Sequence, residues 1–172
     1  MQGTFRSAGR TVRLLHCDET VVVAETGELC VVIWRGAVTK EPFERQRAGL
    51  AEVIKRRPDG VGFICIVERS AKPPEGDELR RASSEMISMH GDRLKCVACV
   101  IEGEGFKTAI NRGALAGMVL LLRNKKTAVS VFATVPEAAA WMVKHMGSRP
   151  KEEIVSIVHH IRSQLPPLRL AE

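Results

Sequence analysis

The chain contains no tyrosine, and only five phenylalanines and two tryptophans in 172 residues. Platforms that bind single-stranded nucleic acid without sequence preference stack bases on aromatic side chains, so this composition argues against one. No apolar run reaches the roughly 20 residues that a membrane-spanning helix needs. The opening stretch MQGTFRSAGR lacks the apolar core of a secretory signal, and the expected location is cytoplasmic. The five cysteines, Cys17, Cys30, Cys65, Cys96 and Cys99, are odd in number, and four sit in apolar, strand-like runs. They form no compact disulfide framework and read as reduced thiols.

Reactive constellations are equally scarce. CVAC has the C-x-x-C spacing, but in a strand Cys96 and Cys99 point to opposite faces and cannot share a metal ion. Thioredoxin-type pairs sit at a helix start instead. His159 and His160 diverge by about 100° on a helix and read as a surface pair. His16, Cys17 and Asp18 are the residue types of a nucleophilic triad, yet contiguous residues cannot fold onto one another as a triad does. His90 lies near a helix end, where a cation suits the dipole. Ser83 and Ser84 fall mid-helix with no base at helical spacing. Trp34 and Trp141 lie in apolar patterns and read as core. The expectation is no catalytic residue, no metal site and no cofactor.

What is present is an ordinary globular composition, 45% hydrophobic and 27% charged, enough for one domain with a sizeable core. The net charge of +6 and a pI near 9.3 permit an acidic partner. Residues 11–16 and 20–25 read as short strands with β-branched content, and 28–35, ELCVVIWR, as a clear strand. Thr39 is the expected N-cap of a helix running to about Arg57, with Pro42 in its first turn. VGFICIV at 61–67 is an unbroken apolar run, as in a strand covered on both faces. A loop, ERSAKPPEG, leads to a helix from Asp77 to about Gly91. KCVACVIE is another strand, 106–123 a third helix, AVSVFAT a fourth buried strand, and Val135 to about His145 a fourth helix. GSRP at 147–150 reads as a linker before a tail helix at 151–165, with Ile154, Ile157, Val158, Ile161 and Leu165 on one face.

This alternation predicts an α/β fold, a mostly parallel sheet of about four to six strands with right-handed crossovers and an antiparallel hairpin at one edge. The expected organisation is one domain over 1–147 and a linker with helical tail over 148–172. A tail stripe of this kind must be buried, on its own domain or on a partner.

The stretch CVIEGEGFKTAINRGALAG, 99–117, resembles a phosphate-cradling turn only in part. The third glycine of G-x-G-x-x-G is replaced by Thr108, and Glu102 and Glu104 would repel a phosphate. It reads as a tight strand-to-helix turn. Ala109, Gly113 and Gly117 then form a small-residue stripe for close helix packing.

LCVVIWRGAVT, VGFICIVE, KCVACVIEGEGF and AVSVFATVPEAAAWM together give the stretch from Val21 to Met146 its character. It resembles the STAS domain, and within it the SpoIIAA-like proteins related to anti-sigma-factor antagonists. The resemblance implies a non-enzymatic module that binds protein partners, some relatives binding nucleotides or lipids. Classical antagonists carry a phosphorylated serine in an Asp-Ser turn after the third strand. Here that turn reads VERSAKPPEGDELRR, in which Ser70 is the nearest hydroxyl and no acid-Ser-Ser-Gly signature surrounds it.

The expected function is a regulatory protein-interaction module; the alternative is a small-ligand or lipid-binding domain using the strand carboxyl-end rim. A homodimer is a further candidate, nucleic acid is disfavoured, and no transmembrane segment is expected. Partner-facing candidates are Ser70, Lys72, Glu75, Asp77 and Glu104. In a parallel α/β unit the helix C-termini gather where the strands begin, so Lys55, Arg56, Arg57, Arg93, Lys95, Arg123, Lys125, Lys126, Lys144 and His145 form a basic rim. Glu41, Glu68, Asp77, Glu102, Glu104 and Glu137 form an acidic one. Complementing the helix dipoles accounts for such a pattern on its own; docking of an acidic protein surface or of anionic headgroups is the functional alternative.

Overall fold

A computed structural model describes residues 3–72, 78–104, 127–147 and 149–165. The expected third helix and its Ala109, Gly113 and Gly117 stripe lie outside the described residues. Among the described residues, seven strands form one mixed sheet in sequential order: β1 (Gly3–Ser7), β2 (Arg10–Cys17), β3 (Val21–Thr26), β4 (Leu29–Trp34), β5 (Val61–Val67), β6 (Leu94–Ile101) and β7 (Ala128–Phe132). The first three pairings are antiparallel and the last three parallel. The sheet is therefore wider than expected, and only half of its pairings are parallel. The added strand is β1, joined to β2 by a two-residue turn in which Ala8 (φ 48°) and Gly9 (φ 75°) are both left-handed. Such turns match the twist of a hairpin, and β1 carries a single large apolar residue, Phe5, so it leaves little trace in the hydrophobic pattern.

Helices α1 (Lys40–Arg56) and α2 (Glu78–Met89) connect the parallel strands. With strands laid down in one direction, right-handed crossovers put successive helices on one face. Phe43, Leu50, Val53 and Ile54 of α1 and Met86 and Ile87 of α2 accordingly pack together against Val21, Val23, Val32, Trp34, Phe63 and Val97. At Gly49 a Cβ would lie 2.6 Å from Cγ1 of Val23, so the absent side chain is what lets α1 sit this close to β3. Thr39 occupies the N-cap position as expected, but its side chain makes no capping hydrogen bond.

The opposite face is covered by α3 (Val135–Met146) and α4 (Lys151–Ser163). They pack on Val12, Leu14, Val22, Val31, Ile33, Ile64, Ile66, Ala98 and Val100. α3 opens with a capping box: the Glu137 amide donates to the Thr134 hydroxyl and the Thr134 amide to the Glu137 carboxylate. It closes on Gly147 in the left-handed conformation. In α4, Ile154, Ile157, Val158 and Ile161 are buried in the same core as the strands, so the tail helix covers the sheet of its own chain. β7, expected to be buried, is half-buried throughout.

Candidate functional site

β4, β5 and β6 end side by side, and the backbone that leaves them is stitched into one surface. The amide of Glu68 donates to the Trp34 carbonyl at 2.9 Å, and that of Glu102 to Val67 at 2.9 Å. The two outgoing loops then bond each other directly. Lys72 donates to Gly36 at 3.3 Å, Val38 donates to Lys72 at 3.0 Å, and Ala37 and Lys72 form a parallel bridge. The Ser70 hydroxyl adds a third hydrogen bond, donating to the Arg35 carbonyl at 3.1 Å. Loops are commonly the mobile parts of a fold; these two brace each other.

Beneath them lies an ionic floor. Arg162 of α4 donates from Nε to Glu68 at 3.0 Å and from Nη2 to Glu102 at 2.8 Å. Arg35, only 8% exposed, places Nε 3.7 Å from the other Glu68 oxygen. Two cations thus face two carboxylates at the rim where open α/β sheets bind their ligands. The outer surface is set by Ala37, Thr39, Arg69, Ser70 and Lys72, all exposed.

Of the partner-facing candidates, Ser70 and Lys72 lie on this surface, Glu104 is exposed beyond β6, and Glu75 and Asp77 lie outside the described residues. Gly103, just after β6, is left-handed at φ 120°; the rest of the expected tight turn, from residue 105 on, lies outside the described residues. Glu41 pairs with Arg45 at 2.5 Å. Neither Arg35 nor Arg162 stood out in the sequence. Arg162 sits on the polar side of an amphipathic helix, and nothing local marks its partners.

At the other end of the sheet Lys55 is exposed, while Arg56 and Arg57 converge with Arg13 on the buried carboxylate of Glu25. Arg93 donates to the Pro58 carbonyl at 2.9 Å. Arg123, Lys125 and Lys126 lie outside the described residues. Arg149, within the expected linker, is buried; it donates to the Thr26 carbonyl at 2.5 Å and to Glu153 at 2.9 Å.

Cys96 faces the α3–α4 side and Cys99 the α1–α2 side, as their spacing requires. Burial pushes the Cys96 thiol up to about 12 and the Cys99 thiol up to about 11, so both are protonated at neutral pH. At the end of α2, burial first, then the charge of Arg47, pushes His90 toward the neutral form, which weakens its part in complementing the helix dipole. His16 and Asp18 do meet, Nε2 to Oδ2 at 2.7 Å, but Cys17 between them is buried in the opposite core. Trp34 is core, its Nε1 donating to Gln46 at 2.7 Å, while Trp141 is half-buried against Phe132 and His145. Among the described residues, no group of three or more His, Cys, Asp or Glu side chains is placed to hold a metal ion, and no helix is long and apolar enough to cross a membrane.

No protein-family model, curated protein or solved structure matches the chain.

Proposed function

We propose that the chain is a non-catalytic, STAS-like regulatory module that docks a protein partner through the paired loops at the carboxyl ends of β4 and β5. The observation that carries this reading is the mutual bracing of residues 35–39 and 68–72 over a floor of paired charges. A braced loop loses little conformational freedom on binding, which favours recognition. With Glu68 and Glu102 engaged by Arg162 and Arg35, selectivity falls to the exposed side chains above them. Five free cysteines support a reducing, cytoplasmic setting. The resemblance to SpoIIAA-like proteins points the same way. A small ligand or lipid at this rim is the alternative; clefts of about 370, 390 and 280 Å³ open elsewhere on the molecule.

The test is capture of partners from native extract on the immobilised full chain, beside a Ser70→Glu, Lys72→Glu double variant. The reading expects a partner held by the first and lost from the second, with unchanged thermal unfolding of the variant. A partner held equally by both overturns the choice of surface. A small molecule retained in native mass spectra of the purified protein, and displaced by substitution at Ser70 or Lys72, favours the alternative.

A further inference from the structure

The rim reading leaves the opposite end of the sheet without a role, and that end holds a concentration of guanidinium groups. A cleft of about 370 Å³ opens there between β2, the β3–β4 turn and the end of α1. Arg10, Arg13, Arg56 and Arg57 line it, with Glu25 as the one carboxylate in the lining. Glu25 is only 5% exposed and is shared three ways: Arg13 at 2.8 Å, Arg56 at 2.5 Å and Arg57 at 3.6 Å. One carboxylate offers about four lone-pair sites, whereas each guanidinium carries five N–H donors. Glu52 takes donors from Arg13 and Arg56, and Glu153 pairs with Arg10 at 2.8 Å, both from outside the lining. The Arg57 guanidinium has no hydrogen-bond partner among the described residues; its contact with Glu25, through Nε at 3.6 Å, is an ion pair.

The floor of the cleft is built rather than incidental. Arg149, with its side chain 1% exposed, holds the turn from behind by donating to the Thr26 carbonyl. Gly27 is left-handed at φ 58°, and a Cβ there would stand 2.4 Å from Arg149 Nη2. The turn therefore needs glycine both for its backbone and for the guanidinium behind it. Thr26, which lines the cleft, buries its hydroxyl without a hydrogen-bond partner among the described residues.

We propose that this cleft binds a phosphate-bearing small anion, of the class of a phosphate monoester or a polyphosphate. Guanidinium forks match phosphate oxygens two at a time. Convergence of several arginines on one opening suits a multivalent anion better than a single carboxylate, and the volume is that of a small-molecule site. The phosphate reaches the cleft either free in solution or carried on a lipid headgroup. The site is independent of the partner-docking rim and lies at the other end of the strands.

The experiment is titration of the full chain with pyrophosphate, followed by calorimetry and by the thermal unfolding midpoint, with sulfate at matched ionic strength as the control. A second arm uses vesicles containing phosphatidic acid. The comparison protein is an Arg10→Gln, Arg57→Gln double variant; both side chains are nearly half exposed, so the free variant should unfold at the wild-type midpoint. If it does not, Arg57→Lys replaces it, keeping the charge while losing the fork. Pyrophosphate should bind and raise the midpoint of the wild type, and the double variant should bind at least about tenfold more weakly, about 1.4 kcal/mol. Pyrophosphate binding without vesicle binding identifies a soluble ligand; vesicle binding lost in the variant, without pyrophosphate binding, identifies a headgroup phosphate. Binding in neither arm, or an effect that sulfate and the variant reproduce in full, overturns the proposal.

Discussion

Arg162 in the last helix donates from Nε to the carboxylate of Glu68, 94 residues earlier in the chain, at 3.0 Å. With its second bond to Glu102, it ties the end of α4 to the ends of two strands. The stripe of isoleucines behind it fixes where α4 lies; the arginine fixes its far end to the rim that carries the loops.

The two contributions differ in size and separate by mutation. Ile157 is fully buried, so Ile157→Ala should cost about 2–5 kcal/mol through lost burial and a residual cavity. Arg162→Met takes the ion pair from Glu102 and leaves Glu68 with Arg35 alone, both carboxylates partly exposed, and should cost about 1 kcal/mol. Urea unfolding midpoints of the two variants check the order. Truncation after Gly147 removes the whole stripe along with Arg149 and should leave a protein that unfolds far earlier or does not remain soluble.

Gly49 tests the closeness of α1 to the sheet. In an exposed helix, Gly→Ala is stabilising by up to about 1 kcal/mol. Here the new methyl group meets Val23 at 2.6 Å, so Gly49→Ala should instead destabilise by about 1–3 kcal/mol through overpacking. A rise in the thermal midpoint of this variant would contradict the packing described.

Asp18 gives a pH-dependent test. Burial raises its carboxyl, but amide donation from Val21, the His16 side chain and amide donation from Thr20 together outweigh it and hold the group below its ordinary value of 3.8. The folded state therefore binds fewer protons at this site than the unfolded chain, and stability from Asp18 is complete above the ordinary value and lost as pH falls through the folded one. Asp18→Asn should be less stable than wild type at neutral pH, and the gap should narrow by about pH 3. Paired unfolding midpoints at the two pH values read this directly; a constant gap would contradict it.

The parts of this fold that the sequence shows are those with one local cause. VGFICIV and its neighbours are continuous apolar runs because they are covered on both faces, and β5 spans the expected residues, Val61–Val67. β1 escaped because a short edge strand with one half-buried aromatic, Phe5, has too few positions to show a period. Glu137, expected only as part of an acidic rim, closes a capping box with Thr134; the T-x-x-E spacing went unread because the same glutamate already fitted the rim. At the candidate site, Glu68, Ser70, Lys72 and Glu102 follow from the rule that places ligands beyond strand carboxyl ends. Arg35 and Arg162 do not, because their role depends on where α4 lands. Arg149 was hidden for the same reason: flanked by Gly, Ser and Pro it looks like linker, and only the close approach of α4 to the β3–β4 turn buries it.

The central claim, that the braced loops form the docking surface, is tested most directly by hydrogen exchange on the complex with a captured partner. Backbone amides of residues 35–39 and 68–72 should gain protection on binding, while those of the Thr26–Gly27 turn and of α1's last turn stay unchanged. Protection confined to the latter, or to the outer faces of α1 and α2, with the rim loops exchanging as in the free protein, would contradict it.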